Sequence, residues 1–191
     1  MIKRILAVAL AATMAVAPAA AQEIGDDGLH VAPWLHETFK DLREDLAEAN
    51  ANGQRFAVIV EQRGCIYCAE MHEEVFVDPE IEQMLNEDFF FVRVDMYGGT
   101  EVTDFDGEMM SERDAVRRWR TLFTPTILFF PEEVPEGVTA VEAAVATMPG
   151  AFGVGTTRNM LHWVLEEGYN SEESFQAYHA RRLRETQGDS Q

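Results

Sequence analysis

The sequence predicts an α/β protein with a central β-sheet, helices on both of its faces and an additional helix at each end. Short apolar runs rich in β-branched and aromatic residues alternate with segments of helical periodicity, in the order β-α-β-α-β-β-α. Helix-capping residues and glycine-containing turns mark short connections between them. No internal repeat or low-complexity tract is visible, and the length of 191 residues fits one domain.

The first predicted element is an amphipathic helix over residues 34–50, which follows a loose polar lead-in at 22–33 and ends at Asn52-Gly53. Its apolar stripe consists of Leu35, Phe39, Leu42 and Leu46. A mostly buried strand over residues 55–61 comes next, because that run is continuously apolar and β-branched. A helix-like stretch over residues 69–75 follows the strand.

Capping signals place the helices of the next part of the chain. Asp78 at the cap and Pro79 at the first helical position open a helix that reaches about Leu85. An apolar strand follows over residues 89–96. The Gly- and Asp-rich segment 97–110 has little periodicity and is expected to form either a hairpin or lid that shapes partner choice, or solvated decoration.

The C-terminal half supplies the rest of the sheet and its helices. The remaining predicted elements are a helix capped by Ser111 over 111–119, a strand over 126–130, one or two strands within 138–148, a helix from Thr156 or Thr157 to 167, and a last helix capped by Ser171 and reaching about 183. The folded domain is therefore expected to span residues 34–185, followed by a disordered tail at 186–191.

The N-terminus has the features of a secretory signal peptide. Lys3 and Arg4 give a basic start, residues 5–16 are apolar, and small residues precede a predicted cleavage site after Ala21. No later stretch approaches the roughly 20 apolar residues that cross a bilayer, and no cysteine near the cleavage site indicates a lipid anchor. We expect a soluble exported protein of the periplasm.

The chain is strongly acidic, with a formal net charge of −19 at pH 7. Removal of Lys3 and Arg4 with the signal peptide makes the remainder more acidic still. Such a surface argues against binding of nucleic acid or anionic membranes. It either keeps an exported protein soluble or steers it toward a basic partner surface.

The two cysteines of the chain form one C-x-x-C motif, Cys65-Ile66-Tyr67-Cys68, between the predicted strand at 55–61 and the helix-like stretch. Two thiols one helical turn apart can close a disulfide, and the start of a helix favours a thiolate. Since the thiolate attacks in disulfide exchange, we expect Cys65 to be the nucleophile and Cys68 the resolving thiol.

Two other interpretations of the cysteine pair are weaker. A structural zinc site needs about four nitrogen or sulfur ligands, and the sequence has neither a second C-x-x-C nor paired histidines. A static disulfide between residues three apart closes too short a loop to stabilise the fold much. No metal or cofactor is therefore expected.

The segment Phe123-Thr124-Pro125-Thr126, which leads into an apolar strand, together with the C-x-x-C motif resembles the thioredoxin superfamily. The resemblance implies a thioredoxin-like fold with a central mixed β-sheet flanked by helices. It also implies that Pro125 is a cis-proline beside the dithiol, so that Thr124 presents its backbone to an incoming polypeptide. The alternative for Pro125 is an ordinary proline at the start of a strand.

Within the superfamily, the chain is similar to exported thioredoxins of the SoxW type, associated with bacterial sulfur oxidation. The segments that carry this similarity are 61–68, 102–107, 123–126, 148–150, Gly168-Tyr169 and 174–178. The resemblance implies a periplasmic reductant that receives electrons from a membrane thiol transporter. Its expected substrates are protein disulfides or an oxidised sulfur carrier.

The motif departs from ordinary thioredoxins in ways that bear on its chemistry. Ile59 stands where thioredoxins have a buried acid, and Glu61 lies on the same face of the strand. Glu61 is therefore a candidate proton acceptor for Cys68, the alternative being a solvated glutamate at the strand end. His72 lies one turn beyond Cys68, and its expected state is an ordinary, partly exposed histidine.

The surroundings of the motif favour a reductase. Glu61, Glu70, Glu73 and Glu74 outnumber the nearby Arg63, so the thiolate is less favoured and the potential is more reducing. Ile66 and Tyr67 are expected to form an exposed docking patch, to which Trp119 and Phe123 contribute unless they lie in the core. A folding oxidase or isomerase and a non-catalytic binding module remain open, and we expect a monomer.

Overall fold

A computed structural model of the chain describes residues 23–188. The strands are β1 Glu23–Ile24, β2 His30–Val31, β3 Leu35–His36, β4 Arg55–Glu61, β5 Phe89–Asp95, β6 Glu101–Thr103, β7 Met109–Ser111, β8 Thr126–Phe129 and β9 Ala146–Pro149. The α-helices are α1 Leu42–Ala51, α2 Ile66–Glu70, α3 Pro79–Glu87, α4 Glu112–Arg118, α5 Ala140–Ala143, α6 Val154–Leu165 and α7 Phe175–Gly188. A π-helical turn, Met71–Val75, continues α2, and a 3₁₀ turn, Gly168–Asn170, follows α6. The predicted signal peptide lies outside the described residues, as does the end of the predicted tail.

The central sheet has five strands in the order β3-β5-β4-β8-β9. Strands β3, β4 and β5 are parallel, whereas β8 and β9 run antiparallel to their neighbours. Helices pack on both faces of this mixed sheet, and further helices lie toward both ends of the chain. The predicted fold class, a thioredoxin-like arrangement, is thereby confirmed.

The central strand β4 shows why its sequence is continuously apolar. Ala57 and Ile59 enter the core on the face covered by α3 and α6, while Phe56, Val58 and Val60 enter the core on the face covered by α1 and α4. Residues 56–60 are all at most 1% exposed. A strand buried on both faces cannot alternate polar and apolar residues, so the run is apolar throughout.

The predicted helix over residues 34–50 is wrong at its start. Leu35–His36 is an edge strand paired with β5, and the helix begins only at Leu42. Asp41 caps it, because its carboxylate accepts hydrogen bonds from the amides of Arg43 and Glu44. Phe39, which the helical stripe included, is 94% exposed.

Residues 23–31, expected to be a loose lead-in, form the hairpin β1–β2. Leu29 and His30 are buried. Gly28 has a φ of +78°, and a Cβ at this position would lie 2.7 Å from Nε of Arg63. The hairpin is therefore packed against the loop that precedes Cys65.

Segment 97–110 contains most of a second hairpin, β6–β7. A hairpin was one of the two structures expected for this segment. The alternative, solvated decoration, is wrong, because Val102 and Phe105 are fully buried. Within residues 23–188, no helix has both the length and the apolarity needed to cross a membrane.

Segment 138–148 was expected to supply one or two strands, and it supplies most of one, β9. A capping box between Thr139 and Glu142 starts helix α5 at Ala140, within the same segment. The prediction for the last helix needs correction. The last helix begins at Phe175 because Ser171 ends the 3₁₀ turn instead of capping a helix.

Candidate redox site

The cysteine pair lies where β4 ends and α2 begins. Cys65 occupies the N-cap of α2, its Sγ accepts a hydrogen bond from the Cys68 amide at 3.0 Å, and the two sulfurs form a disulfide. Cys65 is 7% exposed and Cys68 is fully buried. Only Cys65 is therefore accessible to a second molecule, as a nucleophile must be.

The proline loop lies directly against Cys65. The Thr124–Pro125 peptide bond is cis, the carbonyl oxygen of Thr124 lies 3.5 Å from Sγ of Cys65, and the Thr124 hydroxyl donates a hydrogen bond to the same sulfur at 3.3 Å. Pro125 is buried, and its carbonyl accepts a hydrogen bond from the Gly150 amide. The fold thus brings together two motifs that are far apart in sequence.

Exposed apolar side chains surround the pair. Ile66 and Tyr67 are both exposed, as expected, and so is Phe123. Trp119 instead belongs to the core and donates its indole N–H to Asp104. Tyr67, Tyr97, Phe123 and Thr124 line part of a cleft of about 590 Å³ beside the disulfide.

Glu61 and His72 form a buried pair beneath the motif. Nε2 of His72 lies 2.8 Å from Oε1 of Glu61, and both side chains are at most 1% exposed. The interpretation of Glu61 as a solvated residue and that of His72 as a partly exposed one are therefore both wrong. The second carboxylate oxygen of Glu61 is buried and has no hydrogen-bond partner among the residues that the structure describes.

His30 of the N-terminal hairpin completes this buried group. Its ring stacks on His72 at a centroid distance of 4.3 Å, and Trp34 stacks near His72 at 5.6 Å. Burial lowers the pKa of His30, and the neighbouring His72 adds to that effect. Sequence reasoning missed His30, because no spacing relates it to the motif.

Glu61, His72 and His30 carry the kinds of ligand atom, carboxylate oxygen and imidazole nitrogen, that bind zinc or copper in proteins. Their nearest ligand atoms lie within 4.8 Å of one another. A metal bound by imidazole lies in the plane of the ring, however, and the His30 and His72 planes are stacked with only 13° between them. No ion can lie in both planes in this arrangement, so the residues do not fit a shared metal.

Arg63, the cation nearest to the motif in the sequence, binds the hairpin β1–β2. Nε and Nη2 of Arg63 donate hydrogen bonds to the carbonyl oxygen of Asp27, at 2.9 and 2.7 Å. Arg63 therefore fixes the hairpin β1–β2 to the loop before the motif.

Comparison with known proteins identifies the family. A profile of the thioredoxin-like domain matches residues 42–141, more than half of the chain. The chain belongs to this family. No curated protein matches it significantly in sequence.

Solved structures share the thioredoxin fold at low sequence identity. A thioredoxin-fold protein from Helicobacter pylori superposes with a TM-score of 0.56 at 15% identity, over 70% of this chain and 86% of that one. A thioredoxin from Thermus thermophilus gives a TM-score of 0.51 at 23% identity, over 67% of this chain and 86% of that one.

The thioredoxin-like domain thus holds one accessible sulfur and one buried sulfur in a closed pair. Such a pair supports thiol–disulfide exchange, since a thiolate at Cys65 can attack an external disulfide and Cys68 can then displace the product. Membership of the family and the position of the pair both favour this chemistry.

Proposed function

We propose that this protein is a periplasmic thiol–disulfide oxidoreductase that reduces disulfides of exported proteins or of an oxidised sulfur carrier. The observation that carries the proposal is the asymmetry of the pair, with Cys65 accessible beside Thr124 and Cys68 buried. The periplasmic location rests on the signal-peptide features of residues 1–21.

The proposed reaction moves two electrons from the dithiol to the substrate. The Cys65 thiolate attacks one sulfur of the substrate disulfide, which breaks that bond, forms a mixed disulfide and releases one substrate thiolate. Cys68 then loses its proton and attacks Sγ of Cys65, which releases the second substrate thiolate and leaves Cys65 and Cys68 oxidised. This protein resembles SoxW-type thioredoxins, and we therefore propose that a membrane thiol transporter donates the electrons that restore the dithiol.

Glu61 is the proposed proton acceptor for Cys68. His72 follows Cys68 by about one turn of the same helical segment and contacts the Glu61 carboxylate at 2.8 Å. The second carboxylate oxygen of Glu61 has no hydrogen-bond partner within residues 23–188, so it can take up a proton without breaking a hydrogen bond described there.

The charges around the pair support a reductant. Glu70, Glu73 and Glu74 are exposed on α2 and the π-helical turn, whereas Arg63 is engaged with the hairpin. Negative charge disfavours the Cys65 thiolate and therefore stabilises the disulfide relative to the dithiol. The alternative is a folding oxidase or isomerase, because exported isomerases often have a threonine before the proline, as Thr124 is here.

Equilibration of the pair against dithiothreitol or glutathione buffers tests the direction. We expect a potential near that of thioredoxin, roughly −270 mV. A potential near roughly −120 mV contradicts the reductase and makes the protein an oxidant of exported thiols.

Trapping with Cys68→Ser tests the chemistry itself. The variant should accumulate mixed disulfides through Cys65 that dithiothreitol releases, because the resolving thiol is missing. The matched control, Cys65→Ser, should trap none, since Cys68 is buried. A Cys68→Ser protein that traps nothing although Cys65 reacts with an alkylating agent would favour the non-catalytic binding module.

A further inference from the structure

A second depression, of about 360 Å³, opens beside Cys65 and shares no lining residue with the cleft that contains Tyr67 and Phe123. Its walls are the hairpin residues Ile24, Gly28 and His30 and, from the motif, Gly64, Cys65, Ile66 and Ala69. The cleft contacts α2 through Tyr67 and Glu70, whereas this depression contacts Ile66 and Ala69. Since successive helical residues differ by about 100° in direction, the two depressions lie on different sides of α2.

The hairpin that forms one wall is fixed in place. Arg63 binds the carbonyl of Asp27, and Arg93 binds both the carboxylate of Asp27 and the carbonyl of His30. The His30 ring stacks on the buried His72. The wall beside Cys65 is therefore part of the folded domain.

We propose that the residues of the hairpin β1–β2 that line this depression are part of the substrate site. A disulfide-bearing segment of a partner polypeptide lies in extended form across Cys65, with one apolar side chain in the hairpin depression and another in the Tyr67 cleft. This inference rests on the proposed function and specifies its substrate class.

The chemistry of the walls indicates which segment fits. Ile24 and Ile66 are exposed apolar side chains, and among the described residues that line the cleft and the depression only Glu70 is an acid, lysine or arginine. Burial of apolar side chains in both depressions favours a polypeptide over glutathione disulfide, which is small and anionic. The net charge of −19 disfavours acidic residues beside the substrate cysteine and favours neutral or basic ones.

The test compares Ile24→Asp with Val31→Asp in the chain without residues 1–21. Both residues belong to the hairpin and have similar exposure, 52% and 43%, but Val31 does not line the depression. The substrates are a peptide disulfide with leucine and lysine beside the cysteine, the same peptide with aspartate at those positions, and glutathione disulfide. The protein is first reduced with dithiothreitol and freed of it, and the single-turnover rate of substrate reduction against substrate concentration gives kcat/KM for each.

We expect Ile24→Asp to lower kcat/KM for the leucine–lysine peptide about tenfold and to change that for glutathione disulfide less than about twofold. Val31→Asp should resemble the unsubstituted protein, which itself should prefer the leucine–lysine peptide to the aspartate peptide. Ile24→Ser, which removes apolar surface without adding charge, should show a smaller loss in the same direction. Circular dichroism checks that the variants are folded.

Three outcomes overturn the inference. Equal kcat/KM for Ile24→Asp and Val31→Asp on the peptide, whether unchanged or lowered in both, shows that the depression lined by Ile24 does not hold the substrate. An equal loss on peptide and glutathione disulfide shows an effect on the cysteine pair and not on docking. An unsubstituted protein that reduces none of the three substrates contradicts the proposed function itself, which distinguishes that failure from the first two.

Discussion

The residues that define the site differ in how they are encoded. Cys65, Cys68, Thr124 and Pro125 belong to short local motifs, and the resemblance of these motifs to the thioredoxin superfamily implies that the four residues lie together. His30 reaches the site only through the packing of a separate hairpin, and no local pattern predicts that contact. The burial of Glu61 depends likewise on His72, which covers the end of β4.

At the residue scale, Glu61→Gln tests the proton acceptor. The amide keeps the shape of the side chain and a hydrogen bond to His72 but cannot accept the Cys68 proton. We expect the second step, release of product from the mixed disulfide, to slow about tenfold or more, while attack by Cys65 keeps its rate. Single-turnover kinetics between pH 5 and 9 separate the two steps.

The control for this prediction is Glu74→Gln, an exposed residue of the π-helical turn that removes the same charge. A purely structural role for Glu61 would leave the pH dependence of product release unchanged. If Glu61→Gln and Glu74→Gln have the same pH profile as the unsubstituted protein, Glu61 is not the acceptor.

At the scale of elements, one buried carboxylate joins three parts of the chain. Asp104, which follows β6, is fully buried. Its oxygens accept hydrogen bonds from the amides of Phe105 and Ala140, from the indole N–H of Trp119 and from Arg118. The second hairpin, α4 and the start of α5 are thereby connected, which explains why segment 97–110 is ordered despite its glycines.

Asp104→Asn should therefore destabilise the protein by about 2–4 kcal/mol, because the amide turns an N–H toward groups that are themselves donors. The matched control is Asp106→Asn, since Asp106 is partly exposed and binds Arg118 at the surface. We expect this control to cost less than about 1 kcal/mol. Urea unfolding measures the free energy of unfolding of both variants. Equal losses of stability in the two would show that Asp104 does not connect these elements.

Two of the elements that begin at a capping residue were predicted well. Asp78 with Pro79 and Ser111 start α3 and α4 as expected, because a cap is a local interaction. The start of α1 was misplaced because the apolar residues 35, 39 and 42 also fit a strand followed by a turn. Pairing of Leu35 with Phe91 decides between them, and that contact is long-range.

At the scale of the whole molecule, an acidic chain must bury some of its carboxylates. Asp45 on α1 is 4% exposed and accepts a hydrogen bond from the Thr38 hydroxyl at 3.1 Å. Burial raises the pKa of Asp45 to about 7, and the neighbouring acids Asp41, Glu44 and Glu48 add to the shift. The fold therefore holds a proton that the unfolded chain releases near pH 4.

This linkage fixes how stability depends on pH. Between about pH 4 and pH 7 the folded state binds one more proton at Asp45 than the unfolded state, so the free energy of unfolding falls as pH rises through this window and levels off above it. Asp45→Asn, which carries no charge, should lack this decline and be more stable than the unsubstituted protein at pH 8 by about 1–3 kcal/mol. Urea unfolding at pH 5, 6, 7 and 8 provides the comparison.

Glu82→Gln provides the matched control, because it removes the same charge from an exposed position of another helix, α3, and Glu82 is not one of the acids that raise the pKa of Asp45. The buried His30 and the half-buried His36, whose pKa values desolvation lowers, act in the opposite direction, since their protonation on unfolding reduces stability as pH falls. Both histidines are present in every variant, and Glu82 acts on neither of them, so the difference between Asp45→Asn and Glu82→Gln isolates Asp45. A difference that does not change between pH 5 and pH 8 would show that Asp45 is already ionised in the folded protein at pH 5.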